Sequence, residues 1–380
     1  MRIGIDIRPL MEERLSGVAQ YTMQLTRKLL TLDTSNEYIL FYSGFKKSWF
    51  IHRALTNTRA KIIPVLVPNK LFNGAQTFLH FPFIDKKLSG LDIFFAPNWG
   101  FVNISPNCRL VVTAHDLAYK IYPQFLSPKG RIWHRVIHPE KFFTQADHIV
   151  AVSQHTKNDV MSTFKIPENR ISVVYSGVDH ANIRELDNKF VLQEKYKLPT
   201  DYILSVGNIE PRKNISGLIG AFLKLKGDER VQKKYPGLKL LIAGARGWQS
   251  ETLPKNQNDI IFLGYIPEEE KAALYRQALI FCYPSFYEGF GFPPLEAGLE
   301  GTASVVSAVS ALPEVMGDSA VLVDPYNMRD ITYGIMTLLL DDDFRREKGQ
   351  AAQKRAQEFR WEKTARQMIR LWESVIRSHA

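Results

Sequence analysis

Short apolar runs recur along the chain and predict alternating strands and helices. Residues 3–7 alternate between apolar and polar, as in a strand, and the apolar positions over residues 18–29 follow the 3.6-residue period of a helix. Such alternation indicates an α/β fold with parallel sheets that are covered on both faces. Further strands are predicted at residues 38–42, 61–67, 93–96, 110–113, 148–152, 171–176, 203–207, 238–244, 259–263, 279–283, 303–307 and 320–323.

The length of the chain and a break in this pattern predict two domains. At 380 residues the chain is too long for one core of ordinary size, and 45% of its residues are hydrophobic. Residues 186–199 are charged and show no clear core face, after which the alternation starts again. We therefore predict an N-terminal domain over residues 1–180, a linker over about 178–199 and a C-terminal domain over 199–361.

One stretch, residues 281–298, combines a strand, a glycine loop and a helix start. Pro284 ends the apolar strand, and the loop that follows holds two glycines. Pro293 and Pro294 suit the first turn of a helix, which would place Glu296 in that first turn. Unpaired N–H groups and the helix dipole favour an anion at such a point, so the stretch predicts a phosphate site.

Two carboxylates beside a phosphate site need a ligand other than the phosphate. A carboxylate accepts two hydrogen bonds from a vicinal diol, so Glu288 and Glu296 are candidates to bind the two sugar rings of a sugar–diphosphate–nucleoside. The alternative is that Glu296 is only a favourable acid in a first turn and Glu288 a solvated loop residue.

The segment E-G-F-G-F-P-P-L-E-A, residues 288–297, resembles the signature of glycosyltransferase family 4, the retaining nucleotide-sugar transferases of the GT-B fold. The resemblance implies two facing Rossmann-like domains, with a C-terminal helix, about residues 362–380, that crosses back to the first domain. It implies that Glu288 binds hydroxyls of the donor sugar and Glu296 those of the ribose. The loop residues that it assigns to nucleotide-sugar binding are Gly289, Phe290 and Gly291, the last two through backbone N–H groups.

Arg212 and Lys213 lie in the segment N-I-E-P-R-K-N that follows the strand at 203–207. Cations at the end of a strand can neutralise the charge that develops on a leaving diphosphate. The resemblance assigns the diphosphate contact to Lys213 first and to Arg212 second, so both are candidate catalytic residues. The alternative is a solvated charge pair at a helix start.

Three further positions match the family pattern. Gly17, behind the candidate N-cap Ser16, follows the first strand, and the resemblance places it against the donor phosphates. His115 follows the strand at 110–113, and the resemblance makes it a contact of the donor sugar and a candidate catalytic residue. A histidine that only caps a strand end is the alternative. Tyr265 and Ile266 resemble the loop that holds the nucleobase.

Several features bear on metal, cofactor and location. No Asp-x-Asp pair is present, so we expect no metal, and no cofactor beyond the nucleotide-sugar substrate. The two cysteines, Cys108 and Cys282, cannot form a disulfide framework and favour a reducing cytoplasm. The N-terminus does not read as a signal peptide, and no stretch approaches the roughly 20 apolar residues of a membrane span.

The positive charge is concentrated in the first half of the chain. Residues 1–185 carry 23 Lys and Arg against 14 Asp and Glu, whereas the remainder carries 26 against 25. Anionic lipid, a pyrophosphate-linked acceptor and nucleic acid are all compatible with such a surface. Basic and aromatic residues interleave over 124–143 and over 46–50, which suits peripheral binding at the inner face of the cytoplasmic membrane. The alternative is that these aromatic side chains face the core.

The motifs S-G-V-A-Q-Y and E-P-R-K-N look most similar to those of bacterial mannosyltransferases that build polysaccharide, such as lipopolysaccharide O antigen, on a lipid carrier. This resemblance implies GDP-mannose as the donor and a lipid-linked saccharide as the acceptor. A UDP- or dTDP-sugar donor is an alternative, and so is a nucleotide-sugar epimerase on the same fold. A basic nucleic-acid-binding protein is the alternative from another class, but no known nucleic-acid module is present, so we expect no nucleic-acid partner.

Overall fold

The computed structural model describes residues 1–11, 16–44, 51, 55, 58–67, 69–76, 81–178, 189–247 and 258–378. The chain divides into two compact units. Unit 1 comprises Met1–Leu117, Lys129–Gly177 and Arg360–Ala380. Unit 2 comprises Ala118–Pro128 and Val178–Phe359.

Each unit contains one parallel sheet. In unit 1 seven strands are ordered β3-β2-β1-β4-β5-β6-β7, and in unit 2 six strands are ordered β10-β9-β8-β11-β12-β13. Every pairing is parallel, and both orders run outward in two directions from the first strand, as in doubly wound Rossmann-like sheets. The strands are β1 (Arg2–Asp6), β2 (Glu37–Ser43), β3 (Lys61–Val65), β4 (Ile93–Ala96), β5 (Arg109–Ala114), β6 (His148–Ala151), β7 (Ile171–Val173), β8 (Tyr202–Val206), β9 (Lys239–Ala243), β10 (Ile260–Gly264), β11 (Ile280–Tyr283), β12 (Ser304–Ser307) and β13 (Val321–Val323).

Helices alternate with these strands, as the apolar periodicity predicted. In the described part of the chain they are α1 (Gly17–Leu32), α2 (Asn69–Gly74), α3 (Ile84–Lys87), α4 (Ala118–Ile121), α5 (Pro128–Ile137), α6 (Pro139–Gln145), α7 (Gln154–Phe164), α8 (Lys189–Tyr196), α9 (Ile215–Leu225), α10 (Glu229–Lys234), α11 (Glu268–Gln277), α12 (Phe292–Leu299), α13 (Leu312–Met316), α14 (Met328–Leu340), α15 (Asp342–Ala356) and α16 (Trp361–Arg377). Within the same residues, no helix is both long enough and apolar enough to span a membrane.

The strand β1 lies between β2 and β4 in its sheet, and side chains on both of its faces are buried. Gly4 and Asp6, the polar positions of the alternating run, are buried like Ile3 and Ile5. The buried carboxylate of Asp6 is paired with the guanidinium of Arg8. Burial on both faces agrees with the predicted parallel sheet.

The C-terminal helix α16 belongs to unit 1, although β8 to β13 and their helices separate it in sequence from that unit. Its apolar residues recur at helical spacing, and Trp372 among them is fully buried. The Trp372 ring lies 5.4 Å from that of Phe95 in β4 and 6.4 Å from that of Tyr38 in β2. Burial of these aromatic rings explains why the end of the chain packs with its beginning.

One expectation needs correction. Residues 118–128 belong to unit 2 and not to a continuous domain over 1–180, because the Phe125 ring stacks at 5.6 Å on that of Phe286 and the Tyr122 ring lies 5.3 Å from that of Tyr287. The C-terminal helix expected at about residues 362–380 is α16. The predicted linker contains α8, whereas residues 179–188 of it lie outside the described residues.

Candidate active site

The order in which the chain adds strands to the sheet of unit 2 reverses between β8 and β11. These two strands are hydrogen-bonded neighbours, and the chain leaves β8 towards β9 on one side and β11 towards β12 on the other. Loops at such a switch point part from each other at the carboxyl ends of the strands and leave room for a ligand. Lys213 lies on the loop after β8 and Glu288 on the loop after β11. The topology therefore predicts a site where these two residues lie.

Glu288 is held by both cations of the P-R-K segment. Lys213 Nζ donates to Glu288 Oε1 at 2.6 Å, and Arg212 Nη1 donates to Glu288 Oε2 at 2.8 Å. Lys213 is 9% exposed and Glu288 6% exposed. The alternatives of a solvated loop carboxylate and a solvated charge pair are therefore wrong, and the structure brings together three of the residues that the sequence singled out.

Hydrogen bonds fix the two loops to each other. The Phe286 N–H donates to the Arg212 carbonyl at 2.8 Å, and Arg212 Nη1 donates to the Tyr287 carbonyl at 2.8 Å. A third loop also takes part, because the Glu288 N–H donates to Ser310 Oγ at 3.0 Å. Ser310 has a φ of 60°, which is uncommon for a residue other than glycine. The carboxylate and its two cations are thus positioned before any ligand binds.

The pKa values show what charge this cluster carries. Burial alone would raise the pKa of Glu288, but the charges of Arg212 and Lys213 outweigh burial and hold it at about 2. Burial lowers the pKa of Lys213 below its ordinary value, and the charge of Arg212 lowers it further. The charge of Glu288 has the opposite effect and raises the pKa of Lys213. Glu288 is therefore a carboxylate at neutral pH and has no proton to donate.

The helix α12 begins at Phe292, one residue before the two prolines, which lie in its first turn as predicted. Glu296 is consequently its fifth residue, and the expectation that Glu296 lies in the first turn is wrong. Its buried carboxylate accepts a hydrogen bond from Tyr275 Oη at 2.8 Å. Burial, and then the charge of Glu296, raise the pKa of Tyr275 well above its ordinary value, so that its hydroxyl stays a donor.

Gly291 precedes α12 in a conformation that favours glycine. Its φ is 109°, and a Cβ there would lie 2.6 Å from Leu312 Cδ2. The adjacent loop residues Gly289 and Phe290 are buried, and the Phe290 ring packs against that of Phe359 at 5.7 Å. The path of the loop between Glu288 and α12 therefore depends on Gly291.

We expect Gly291→Ala to cost about 1–3 kcal/mol of stability and to lower transfer activity as well, because the strained backbone would displace the adjoining Glu288 loop. Gly301→Ala is the matched control, since Gly301 also has a positive φ, 74°, but a Cβ there would meet no described atom within 4 Å. Thermal unfolding and initial transfer rates would be measured for both. Equal activity of the two variants would contradict the role of Gly291.

The loop after β10 contains the two residues predicted to hold the nucleobase. Gly264 has a φ of 72° and turns the chain, after which Tyr265 is 46% exposed and Ile266 only 3% exposed. At this position the side chain that can present a surface to a ligand is therefore that of Tyr265, whereas Ile266 packs inward.

In unit 1 the order in which the chain adds strands to the sheet reverses between β1 and β4. Gly17 is the first residue of α1, and the Ser16 side chain accepts a hydrogen bond from the Ala19 N–H at 3.3 Å, as expected of an N-cap. Gly17 is exposed, and a Cβ there would have no described atom within 4 Å. The packing described in the structure therefore does not demand glycine at this position.

His115 directs its Nε2 at the Pro97 carbonyl, 2.7 Å away at the end of β4. Burial lowers the pKa of His115 below its ordinary value, although this hydrogen bond opposes the shift. Its ring also lies edge-on to that of Tyr21, with 4.8 Å between ring centroids. Because a carbonyl only accepts, Nε2 carries the proton, and neutral His115 ties two strand ends together. Contact with a sugar stays a prediction.

Sequence reasoning missed several residues of this kind. Tyr283 and Tyr275 contact Lys213 and Glu296 respectively, and Ser310 holds the Glu288 backbone. In unit 1 the Asp6–Arg8 pair lies at the end of β1, with Arg8 Nε 2.9 Å from Asp6 Oδ1. For Tyr283 and Asp6 the available signal was a polar atom in the last residue of an apolar strand, whereas Tyr275 lies within a helix and Ser310 in a loop, where no such signal marks them.

A metal centre finds no support in the described ranges of the chain, where no group of three or more His, Cys, Asp or Glu side chains could hold an ion. The cations at the candidate site are instead Arg212 and Lys213, which lie beside each other and share one carboxylate. The absence of a metal and of a cofactor stays a prediction.

Comparisons with known proteins find similarity along most of the chain. The family model described as Glycosyltransferase Family 4 matches residues 15–182, and the model described as Glycosyl transferases group 1 matches residues 187–355. O-antigen chain mannosyltransferase B of Escherichia coli is 33% identical over 377 residues, which are 93% of this chain and 95% of that protein. The serotype-specific mannosyltransferase WbdA of the same organism is 33% identical over 59% of this chain but only 28% of its own length.

A solved structure shows the same fold. HepE of Anabaena, in complex with UDP-glucose, superposes with a TM-score of 0.72 at 16% identity and covers 98% of this chain and 100% of its own. The expected GT-B architecture of two Rossmann-like domains is confirmed. From the relative that is 33% identical over almost the full length, together with the two family models, it follows that the chain belongs to glycosyltransferase family 4 and is a glycosyltransferase.

Proposed function

We propose that this chain transfers mannose from GDP-mannose onto a lipid-linked saccharide, with retention of the anomeric configuration, during synthesis of a cell-surface polysaccharide such as O antigen. The observation that carries the proposal is the buried cluster at the switch point of unit 2, in which Glu288 lies against Lys213 and Arg212. Mannose is the sugar named for the Escherichia coli relatives, and it suggests GDP as the carrier.

In the proposed reaction, the bond between the sugar and the diphosphate breaks and negative charge develops on the leaving phosphate. Lys213 and Arg212 lie where they can neutralise that charge. The Glu288 carboxylate binds hydroxyls of the donor sugar, and Glu296 binds those of the ribose. Tyr265 lies against the nucleobase. The phosphate contact of Gly17 and the sugar contact of His115 stay predictions.

Retention follows in this proposal from attack on the face that the diphosphate leaves, with the leaving phosphate as acceptor of the proton of the attacking hydroxyl. A carboxylate that two cations hold, and whose pKa is about 2, is a weak nucleophile. Glu288 therefore does not form a covalent intermediate in this proposal.

The test is transfer by the purified protein in the presence of a lipid-linked saccharide, with GDP-mannose, UDP-glucose and a dTDP-hexose as parallel donors. We expect product from GDP-mannose alone, and nucleoside diphosphate release that depends on acceptor. The one-bond C–H coupling of the new anomeric carbon reports its configuration. Transfer from another donor, or an inverted product, would contradict the corresponding part of the proposal.

The peripheral membrane association that we propose, at the cytoplasmic face, rests on α5 of unit 1. Ile132 is 63% exposed and Trp133 52% exposed, and the side chains of Arg131 and Arg135 are exposed beside them. Phe142 and Phe143 of the same stretch are buried, so the core-facing alternative holds for those two. The second basic aromatic stretch, residues 46–50, lies outside the described residues.

We expect the double variant Ile132→Ser/Trp133→Ser to bind anionic vesicles at least tenfold more weakly, because inserting each apolar side chain is worth about 1.5–3 kcal/mol. Leu223→Ser/Tyr333→Ser is the matched control, since it removes an equally exposed apolar pair from unit 2. Cosedimentation with phosphatidylglycerol vesicles measures the binding, and phosphatidylcholine vesicles separate the electrostatic part. Equal binding by both double variants would contradict the role of α5.

A further inference from the structure

Lys213 has an unusual environment for a residue that must carry a charge. Its side chain is 10% exposed, and the loss of water disfavours an ammonium group. The charged and titratable groups that face it are Arg212, Glu210 and Glu288 on the two loops and Tyr283 at the end of β11. Of these, Arg212 repels the charge, whereas the carboxylates of Glu210 and Glu288 favour it.

Tyr283 contacts the ammonium group through its hydroxyl oxygen. Lys213 Nζ donates a hydrogen bond to Tyr283 Oη, and the same nitrogen lies 4.8 Å from the centre of the Tyr283 ring, near the ring edge that carries the hydroxyl. Tyr283 is itself 3% exposed and is the last residue of a strand buried throughout, so that its position is fixed by the sheet. The end of a buried strand therefore holds the cation through an oxygen lone pair.

We propose that Tyr283 is a positioning residue, which keeps the Lys213 ammonium group charged and directed towards the diphosphate of the donor. An ammonium group has three N–H bonds, of which Lys213 donates one to Glu288 and one to Tyr283. Because the nitrogen is tetrahedral, these two contacts also fix the direction of the third N–H bond. The direction towards a diphosphate rests on the proposed function, whereas the effect of Tyr283 on the charge of Lys213 does not.

The geometry also explains why phenylalanine would not suffice. Phenylalanine keeps the ring but removes the oxygen that accepts from Nζ, and at a position that is only 3% exposed no other described side chain takes its place as the second acceptor of Lys213 beside Glu288. Loss of an acceptor disfavours the charged form, so the pKa of Lys213 falls further below its ordinary value. When the pH is raised, the rate of transfer should therefore begin to fall at a lower pH in this variant than in the wild type.

The test uses the full chain and needs no ligand. Lysine labelled with 13C at Cε and 15N at Nζ reports the titration of Lys213, which Lys213→Arg assigns. We expect Tyr283→Phe to lower the pKa of Lys213 by about one unit, the usual worth of a hydrogen bond to a charged group. Tyr202→Phe is the matched control, because Tyr202 is as buried in the same sheet and donates to the Leu274 carbonyl at 2.8 Å.

An unchanged Lys213 titration in Tyr283→Phe, or an equal change in Tyr202→Phe, overturns the proposal. A second measurement guards against a variant that does not fold: in the unaltered protein, the 13Cζ resonance of Tyr283 should titrate together with Lys213, and a flat resonance also overturns it. The alkaline limb of the transfer rate is the third readout. If Lys213 shifts but GDP-mannose is not a donor, the positioning role stands and the proposed function fails.

Discussion

Lys213→Met is expected to lower kcat/KM for transfer about 1,000-fold, or about 4 kcal/mol of transition-state stabilisation. Methionine has a similar length and fills the buried space, but it removes the only positive charge that lies against Glu288 Oε1 in the described structure. The diphosphate carries more negative charge in the transition state than in the bound donor, so loss of the Lys213 charge should reduce kcat more than it raises KM. Steady-state kinetics with GDP-mannose measure both.

The matched control is Lys239→Met. Lys239 is a partly buried lysine of the same sheet, and its Nζ donates to Asp259 Oδ1 at 2.6 Å. It lies at the start of β9, at the amino ends of the strands, whereas Lys213 lies beyond the carboxyl end of β8. The two variants should lose comparable stability, but Lys239→Met should retain its transfer rate. A Lys213→Met enzyme within threefold of the wild-type rate would contradict the assignment of the diphosphate contact.

The sequence was sufficient for the strands because most of them are buried runs bounded by turn residues, and burial on two faces leaves a clear apolar signature. The motifs singled out Glu288 and Lys213 separately, but their contact depends on the strand order, which brings the loops after β8 and β11 together and is visible only in the structure. Alternation within a single strand was less informative, because in β1 the polar residue Asp6 is buried like the apolar residues Ile3 and Ile5.

Contacts between distant parts of the chain were beyond such reasoning. Nothing local in residues 118–128 indicates that Phe125 stacks on Phe286, a residue more than 150 positions away. Nor does an apolar run show which hydroxyl at its end meets a lysine, as Tyr283 does. The first turn of α12 was misjudged because the helix begins before its prolines, which moves Glu296 into the second turn and against Tyr275.

Glu288→Gln should separate transfer from the binding of free GDP, whereas Lys213→Met should impair both. We expect transfer to fall about 1,000-fold, because the neutral amide binds the donor sugar less strongly and no longer balances the two cations. Binding of free GDP should nevertheless be retained or become up to tenfold tighter, since the carboxylate no longer competes with the diphosphate for Lys213 and Arg212. Calorimetric titration with GDP measures this difference, and Lys213→Met should lose GDP affinity instead.

Glutamine is preferred to alanine at this position because truncation would leave two buried cations beside a cavity and confuse loss of fold with loss of function. Glu300→Gln is the matched control. Glu300 is a nearly buried glutamate at the end of α12, and it accepts from Arg276 Nε at 2.7 Å. We expect normal transfer and normal GDP affinity in this control. A Glu288→Gln enzyme that loses GDP affinity as Lys213→Met does would contradict the competition between carboxylate and diphosphate.

Acid unfolding of the wild type and of Glu288→Gln tests the electrostatics of the cluster. The pKa of Glu288 is lowered from its ordinary 4.5 to about 2, so the stability that its ionisation contributes is complete above about pH 4.5 and is lost as the pH falls through about 2. Over that interval the contribution amounts to about 3 kcal/mol. The difference in unfolding free energy between the wild type and Glu288→Gln should therefore be largest at neutral pH and shrink steadily between pH 4.5 and pH 2. A difference that is constant over this interval would show that Lys213 and Arg212 do not stabilise the charged form of Glu288, and that the buried cluster is held together by packing alone.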